Sequence, residues 1–382
     1  MTDVWPYQPL TGSTEELQFL SEVMGGYSAE QRLALRPKPR QRFKYGHRMM
    51  NGETYSRAKQ LVRYTGVNDI YVPVWGEWQR LTGTVAAAAT VLTLDTTWGD
   101  WRVGGRLLIW TNETTYAVRV ISAITSTTIT ISVAAGQTFD RPTIIPIRTA
   151  YVMEGASVDR QATLADMEIG FCVRDNTDLS ALYVSTYPVY QSLDVVTDRP
   201  KLMEAVSELI VREAEMVDSE LGLVAPVVTK NFANFGQTLS FMDTRPIAWQ
   251  RRLWLHALRG KQKTFWMPSF NNDLVLQDKI DPGDTTILVR SVAQTGVYIG
   301  KHIMIELNDN TRYFRSIVNA TTSTGGNDIL QISSTLGVTV LQQDVRYVTF
   351  IAKARIGTDN ITMEHRYTDI VVTSMSVIGV PD

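Results

Sequence analysis

The sequence predicts a mainly β protein: a tandem duplication of one β-sandwich unit, each copy carrying an inserted small β-barrel and a short helix. Three observations carry this. Thr264-Phe265-Trp266-Met267-Pro268-Ser269-Phe270 repeats the pattern of Ile70-Tyr71-Val72-Pro73-Val74-Trp75, with Pro73 falling on Pro268, 195 positions later. At that offset Thr90-Val91-Leu92-Thr93-Leu94 falls on Thr285-Thr286-Ile287-Leu288-Val289. Further on the offset drifts slowly in one direction: Val103-Gly104, Leu107 and Ile109 fall on Ile299-Gly300, Ile303 and Ile305, and Gly136-Gln137-Thr138-Phe139 falls on Gly337-Val338-Thr339-Val340. Such drift means small loop insertions between two copies, and a repeat of this kind governs every later assignment.

Taken in order, residues 1–18 read as an arm, because Pro6 and Pro9 fix φ and lack a donor, so 5–9 cannot continue a helix or sit centrally in a sheet. The first sandwich spans 19–78 plus 149–190. It holds a strand-like run over 32–48, a helix over 53–63 ended by Gly66, and the proline strand at 69–74. The first inserted barrel spans 79–148, with alternating β-branched strands at 91–94, 106–110, 116–121 and 128–133. Residues 191–212 form a linker. Between the copies 199–223 is ambiguous: Leu202, Val206, Leu209 and Ile210 fit a helical stripe, whereas Glu213, Glu215 and Val217 before Asp218-Ser219-Glu220-Leu221-Gly222 fit a strand and hairpin turn, and the repeat, which aligns 213–226 with 21–31, favours strands for the second half. The second sandwich spans 213–276 plus 349–382, with a helix at 249–258 stopped by Gly260. The second barrel spans 277–348, with strands at 286–289, 303–307, 313–317 and 329–333.

A chain of 382 residues has room for the two copies. Its formal charge of −2 implies no global attraction to nucleic acid or an anionic membrane. The single cysteine, Cys172, excludes an internal disulfide framework and a Cys-rich zinc site, and reads as a small buried apolar side chain. No stretch has the length and apolarity of a membrane span, and the N-terminus lacks a secretory pattern, so a soluble chain made in the cytoplasm is expected.

The candidates for chemistry are few. His47, His256, His302 and His365 share no metal-ligand spacing and read as ordinary surface or helix positions. No P-loop, GxSxG or GxGxxG occurs, and Asn308-Asp309-Asn310 reads as a turn. No catalytic residue, cofactor or metal is expected. Trp75, Trp78, Trp98 and Trp101 could form an aromatic platform. Trp75 has a core-like counterpart in Phe270, which leaves Trp78 and Trp98 as candidate contacts for a ligand or neighbour. The sharpest signal is Arg36-Pro37-Lys38-Pro39-Arg40-Gln41-Arg42-Phe43-Lys44. In an extended chain its period of two places Arg36, Lys38, Arg40, Arg42 and Lys44 on one face, and no acid lies between Leu33 and Arg48. That face reads either as a solvated edge strand or as a docking surface for acidic groups. The matching positions 231–239 are uncharged.

Glu30-Gln31-Arg32 with Arg36 and Pro39-Arg40, a proline strand, and then Leu258-Arg259-Gly260-Lys261 leading to Phe265-Trp266-Met267-Pro268 together resemble the minor tail proteins of long-tailed bacteriophages and gene-transfer-agent particles. More narrowly, the chain is similar to the distal tail and hub components that join tail tube to tip or baseplate. The resemblance implies a tail-tube-like β-sandwich, a homo-oligomeric ring of three or six chains around a channel for DNA, and contacts with the tail tube protein and with tip, hub or fibre proteins. It implies residence in the virion and no catalytic role. The duplicated sheet and the inserted barrels depart from the family. The other function the residues support is a receptor- or glycan-binding tail module, with the ligand held by the inserted barrels and Trp78 or Trp98.

Overall fold

A computed structural model describes residues 3–10, 12–26, 29–49, 52–65, 68–161, 164–201, 208–211, 214–218, 220, 222, 224–228, 234–292, 294–366 and 369–381. The protein is mainly β, with a large antiparallel sheet and two α-helices. Among strands of three or more residues, the first half contains β1 (Gly12–Gln18), β2 (Ser21–Gly25), β3 (Glu30–Ala34), β4 (Arg40–Met49), α1 (Gly52–Thr65), β5 (Ile70–Pro73), β6 (Val91–Thr93), β7 (Arg106–Asn112), β8 (Thr115–Ile124), β9 (Thr128–Ile131), β10 (Thr143–Gln161) and β11 (Leu164–Val173). The second contains β12 (Glu208–Val211), β13 (Ala214–Val217), β14 (Ala225–Val228), β15 (Asn234–Thr244), α2 (Arg245–Leu258), β16 (Thr264–Pro268), β17 (Thr286–Arg290), β18 (His302–Leu307), β19 (Arg312–Thr322), β20 (Asn327–Ile332), β21 (Val345–Ile356), β22 (Asn360–Arg366) and β23 (Ile370–Gly379).

The two halves share one pairing scheme. β6 pairs β9, β9 pairs β8, β8 pairs β7, β7 pairs β10 and β10 pairs β5. β17 pairs β20, β20 pairs β19, β19 pairs β18, β18 pairs β21 and β21 pairs β16 in the same order. The correspondence reaches single atoms. Arg119 donates through Nε to Ala134 O at 2.8 Å and through Nη2 to Ala135 O at 2.5 Å; Arg315 does the same to Ser334 O at 2.9 Å and Thr335 O at 2.5 Å. Leu92 and Ile287, and Ile109 and Ile305, are buried in separate but matching clusters. In the second half the pairings close on themselves, because Leu276 bridges Val289 of β17 while Leu274 bridges Val348 of β21.

The long strands form a continuous antiparallel run, β5–β10–β11–β4–β1–β22–β23–β15–β12. β1 is where the halves meet, pairing β4 of the first and β22 of the second. Of the supposed arm, residues 5–9, where the prolines are, are irregular, while residues 12–18 form a central strand. The irregular part is also held. Trp5 is fully buried, its Nε1 donates to His47 Nε2 at 3.1 Å, and Pro6 O accepts from Trp110 Nε1 at 2.9 Å.

The helices differ in burial. α1 buries only Ala58 and Thr65, whereas α2 buries nine residues including Arg251, Arg252, Trp254 and His256. α2 starts with Pro246 in its first turn, where a missing donor costs nothing. It ends with Arg259 at φ 55° and Gly260 at φ 68°, a left-handed exit that glycine favours. Of the ambiguous linker, residues 208–211 form β12; Leu202, Val206 and Glu213 lie outside the described residues.

Candidate functional site

The basic stripe does not form one extended face. β3 stops at Ala34 and β4 starts at Arg40, with Pro37 and Pro39 in the irregular stretch between, since neither can donate to a ladder. Arg36 donates to Gln18 O at 3.0 Å, Lys38 to Asn176 O at 2.5 Å, and Lys44 pairs with Glu168 at 2.7 Å. These three cations are satisfied within the chain. Arg40 is exposed and Arg42 half-buried, with Arg42 Nε unpartnered. Arg42 lines a groove of about 350 Å³ together with Glu16, Met153 and Thr362. The period-two reading holds within β4, where Gln41, Phe43 and Tyr45 are buried between the cations.

Trp78 and Trp98 are brought together, but around a residue of the same chain. The Arg245 guanidinium, at the start of α2, lies 4.4 Å from the Trp78 ring centroid and 5.5 Å from that of Trp98, and Arg245 also donates to Trp78 O. Trp98 packs in addition against Leu179, Trp249 and Leu253. Both tryptophans therefore join the first half to the second helix.

Behind them lies a buried charged network invisible in the sequence. Arg252 Nη1 donates to Glu77 Oε1 at 2.6 Å, and its Nη2 lies 3.1 Å from Glu15 Oε1. Gln41 donates to Glu15 at 2.7 Å, and the Asp100 backbone N–H donates to Glu77 Oε2 at 2.7 Å. Asp100 itself meets Arg148 at 2.6 Å and Arg102 at 2.5 Å. Burial opposes ionisation of every carboxylate here. Burial pushes the Glu15 carboxyl up, but Arg252, His365 and the Gln41 hydrogen bond together outweigh it and hold the carboxyl at about 2; against the same burial, Arg148, Arg102 and Arg252 together hold Asp100 well below the usual range. For Glu77 burial wins over Arg252, Asp100 adds repulsion, and the carboxyl is raised.

Two carboxylates pushed apart in this way are the arrangement from which acid–base pairs are made. The adjoining cavity measures only about 20 Å³, room for a single water. With three acids against three arginines, the cluster acts as a clamp between β1, the 3₁₀ turn Trp75–Glu77, β10 and α2.

The histidines are not surface residues. His47 and His256 are almost fully buried, and burial pushes both down to about 4. His302 meets Tyr190 OH at 2.9 Å, and His365 Nε2 lies 3.8 Å from Glu15 Oε2. Among the described residues, no group of three or more His, Cys, Asp or Glu is placed to hold a metal ion, and no helix is long and apolar enough to cross a membrane. Cys172 is buried and free.

No protein-family model matches the chain, and no curated protein matches it.

Proposed function

We propose that the chain is a structural virion protein of a bacteriophage tail, duplicated within one polypeptide, that forms a homo-oligomeric ring at the distal tip and connects the tail tube to tip or fibre proteins around a channel for DNA. The observation that carries this reading is the pair of hairpins β2–β3 and β13–β14. They precede the long strands β4 and β15 and form two-stranded sheets separate from the large one. Both expose apolar side chains: Met24 and Leu33 on the first, Met216 and Val227 on the second. A chain that works alone rarely presents such surfaces, and a ring whose neighbours cover them would use both. The shared pairing scheme supports the same reading, since a chain with two like halves can fill two like positions in a ring.

Within this reading Arg40 and Arg42 dock on acidic groups of a neighbour, charge pairs across an interface chiefly setting register and encounter rate. The carboxylates Glu204, Glu208, Glu213 and Glu215 of a neighbouring chain would serve as such groups; Glu204 and Glu213 lie outside the described residues, and the side chains of Glu208 and Glu215 are not described. Mass photometry of the purified chain over a concentration series tests the proposal. Closed rings of three or six chains are expected. A monomer at every concentration, with Met24 and Met216 substituted by glutamate without effect on its behaviour, would overturn it.

A further inference from the structure

The halves correspond strand for strand in the long sheet too. β1 pairs β4 with Glu15 opposite Phe43, and β12 pairs β15 with Glu208 opposite Gln237. Two backbone bonds mark the same alignment: Leu10 N–H donates to Gly46 O at 2.9 Å, and Lys201 N–H to Ser240 O at 2.6 Å. Each strand is followed by its hairpin, β2–β3 or β13–β14, and then by the long strand that leads into a helix. β12 is thus the second half's β1, with Leu209 in the place of Glu16 and Ile210 in that of Leu17. On the far side, Gly46, Glu168 and Ser157 lie across the first half's strands as Ser240, Ser374 and Thr362 lie across the second's. Residues 156–161 of β10 are therefore the first half's β22.

Within the chain β1 and β22 pair, Leu17 opposite Ile361, and Leu17 is fully buried. Their counterparts lack that cover. Among the described residues no strand pairs with the outer edge of β12, and β5 reaches only positions 147–150 of β10, leaving 156–161 open. Leu209 and Ile210 are 66% and 71% exposed. A free edge with bare apolar side chains on both faces is a template for another strand, and native proteins cover or charge such edges.

We propose that β12 of one chain pairs antiparallel with residues 156–161 of β10 in a second copy of this chain, repeating between chains the junction that β1 and β22 make within one. Strand addition of this kind draws its affinity from main-chain hydrogen bonds. The internal junction sets the register: Glu16 lies opposite Thr362, so Leu209 lies opposite Ser157 and Ile210 opposite Ala156. The hairpin is carried along. Within the chain β3 meets the second half where Arg355 Nε donates to Glu30 Oε2 at 2.9 Å. The matching positions between chains are Tyr151 and the exposed Val224, so an apolar contact replaces the ion pair. Each boundary joins a second half to a first, a heterologous contact that closes a ring when its rotation closes. This rests on the ring reading above and names the edges that join it.

The test introduces Leu209→Cys and Ser157→Cys into separate full-length chains, whose own Cys172 is buried. The two are mixed at low concentration, concentrated, oxidised with copper phenanthroline and run on non-reducing gels, with mass photometry alongside. A covalent dimer is expected from the mixture and from neither chain alone. Leu209→Cys mixed with Thr362→Cys should not link, because β1 already covers β22. Leu209→Lys with Ile210→Lys should melt with the parent, since both side chains are exposed, and should assemble at least tenfold more weakly. Rings that form without a link between positions 209 and 157, or that the lysine pair leaves undiminished, overturn this edge and leave the ring reading standing. A chain that stays monomeric at every concentration overturns both.

Discussion

At the scale of single residues, Arg252 decides most. It is fully buried between Glu15 and Glu77 and pairs with both. Replacing one member of a buried ion pair costs about 3–5 kcal/mol because the remaining charge stays uncompensated. Arg252→Met should lower the urea midpoint accordingly, whereas Arg57→Met, which breaks an exposed pair with Glu53 on α1, should change it by less than about 0.5 kcal/mol. His47 supplies a pH signature. Its Nε2 accepts from Trp5 and its Nδ1 meets Gln8 O, so the fold holds the neutral ring. Burial keeps it, and His256, at about 4, while the unfolded chain protonates near 6.5. Each therefore contributes stability that is fully present above pH 6.5 and lost as pH falls through 4, on the order of 2–3 kcal/mol. Urea midpoints from pH 7 to 4 should fall along this window, and His47→Gln, whose amide can both accept and donate, should flatten the slope. None of this network was legible in the sequence, since Glu77 and Arg252 stand 175 residues apart and no local pattern couples them.

At the scale of elements, the short strands left a local signal: Leu92, Ile129, Ile287 and Leu330 are buried while the residues on either side of each are exposed or half-buried. The helix at α2 was announced over 249–258 by its Gly260 stop, and it begins earlier, at Arg245. β1 gave no such signal. Its inward face is Ser13, Glu15 and Leu17 and its other face Thr14, Glu16 and Gln18, so the polar residues that feed the charged network erase the alternation. The stripe at 36–44 failed for the opposite reason, a perfect period of two interrupted by prolines that no ladder could hold. β1 should also be the element the fold can least lose. Leu17 is fully buried in the second half's core, and Leu17→Ala should cost about 2–5 kcal/mol by calorimetry or urea titration. Deleting residues 1–18 bares the β4 and β22 edges together, and such unpaired edges template aggregation. The truncated chain should sediment as aggregate where the full chain stays dispersed; a well-dispersed, folded truncation would show that β1 does not join the halves.

At the scale of the whole molecule, the two halves are alike in pairing and unlike in surroundings: α1 is largely exposed where α2 is wedged against the first half, and Arg40 and Arg42 have no charged equivalents at positions 231–239. Such divergence is expected if alternating positions of a ring see different neighbours. Three chains would supply six like halves, each boundary joining a first half to a second, and heterologous contacts of this kind close only when every boundary is satisfied. Six chains would instead place like halves side by side, the second half decorating the outside. Arg40→Glu with Arg42→Glu separates docking from folding, because among the described residues neither side chain makes an ion pair whose loss would unfold the chain, and reversal sets like charges against an acidic neighbour. The double variant should melt with the parent yet assemble at least tenfold more weakly, the defect shrinking as salt screens the repulsion. Counting chains in class averages of the parent ring then decides the symmetry: three chains with both halves lining the channel support the pseudo-six-fold arrangement, and six chains with only the first half at the channel refute it.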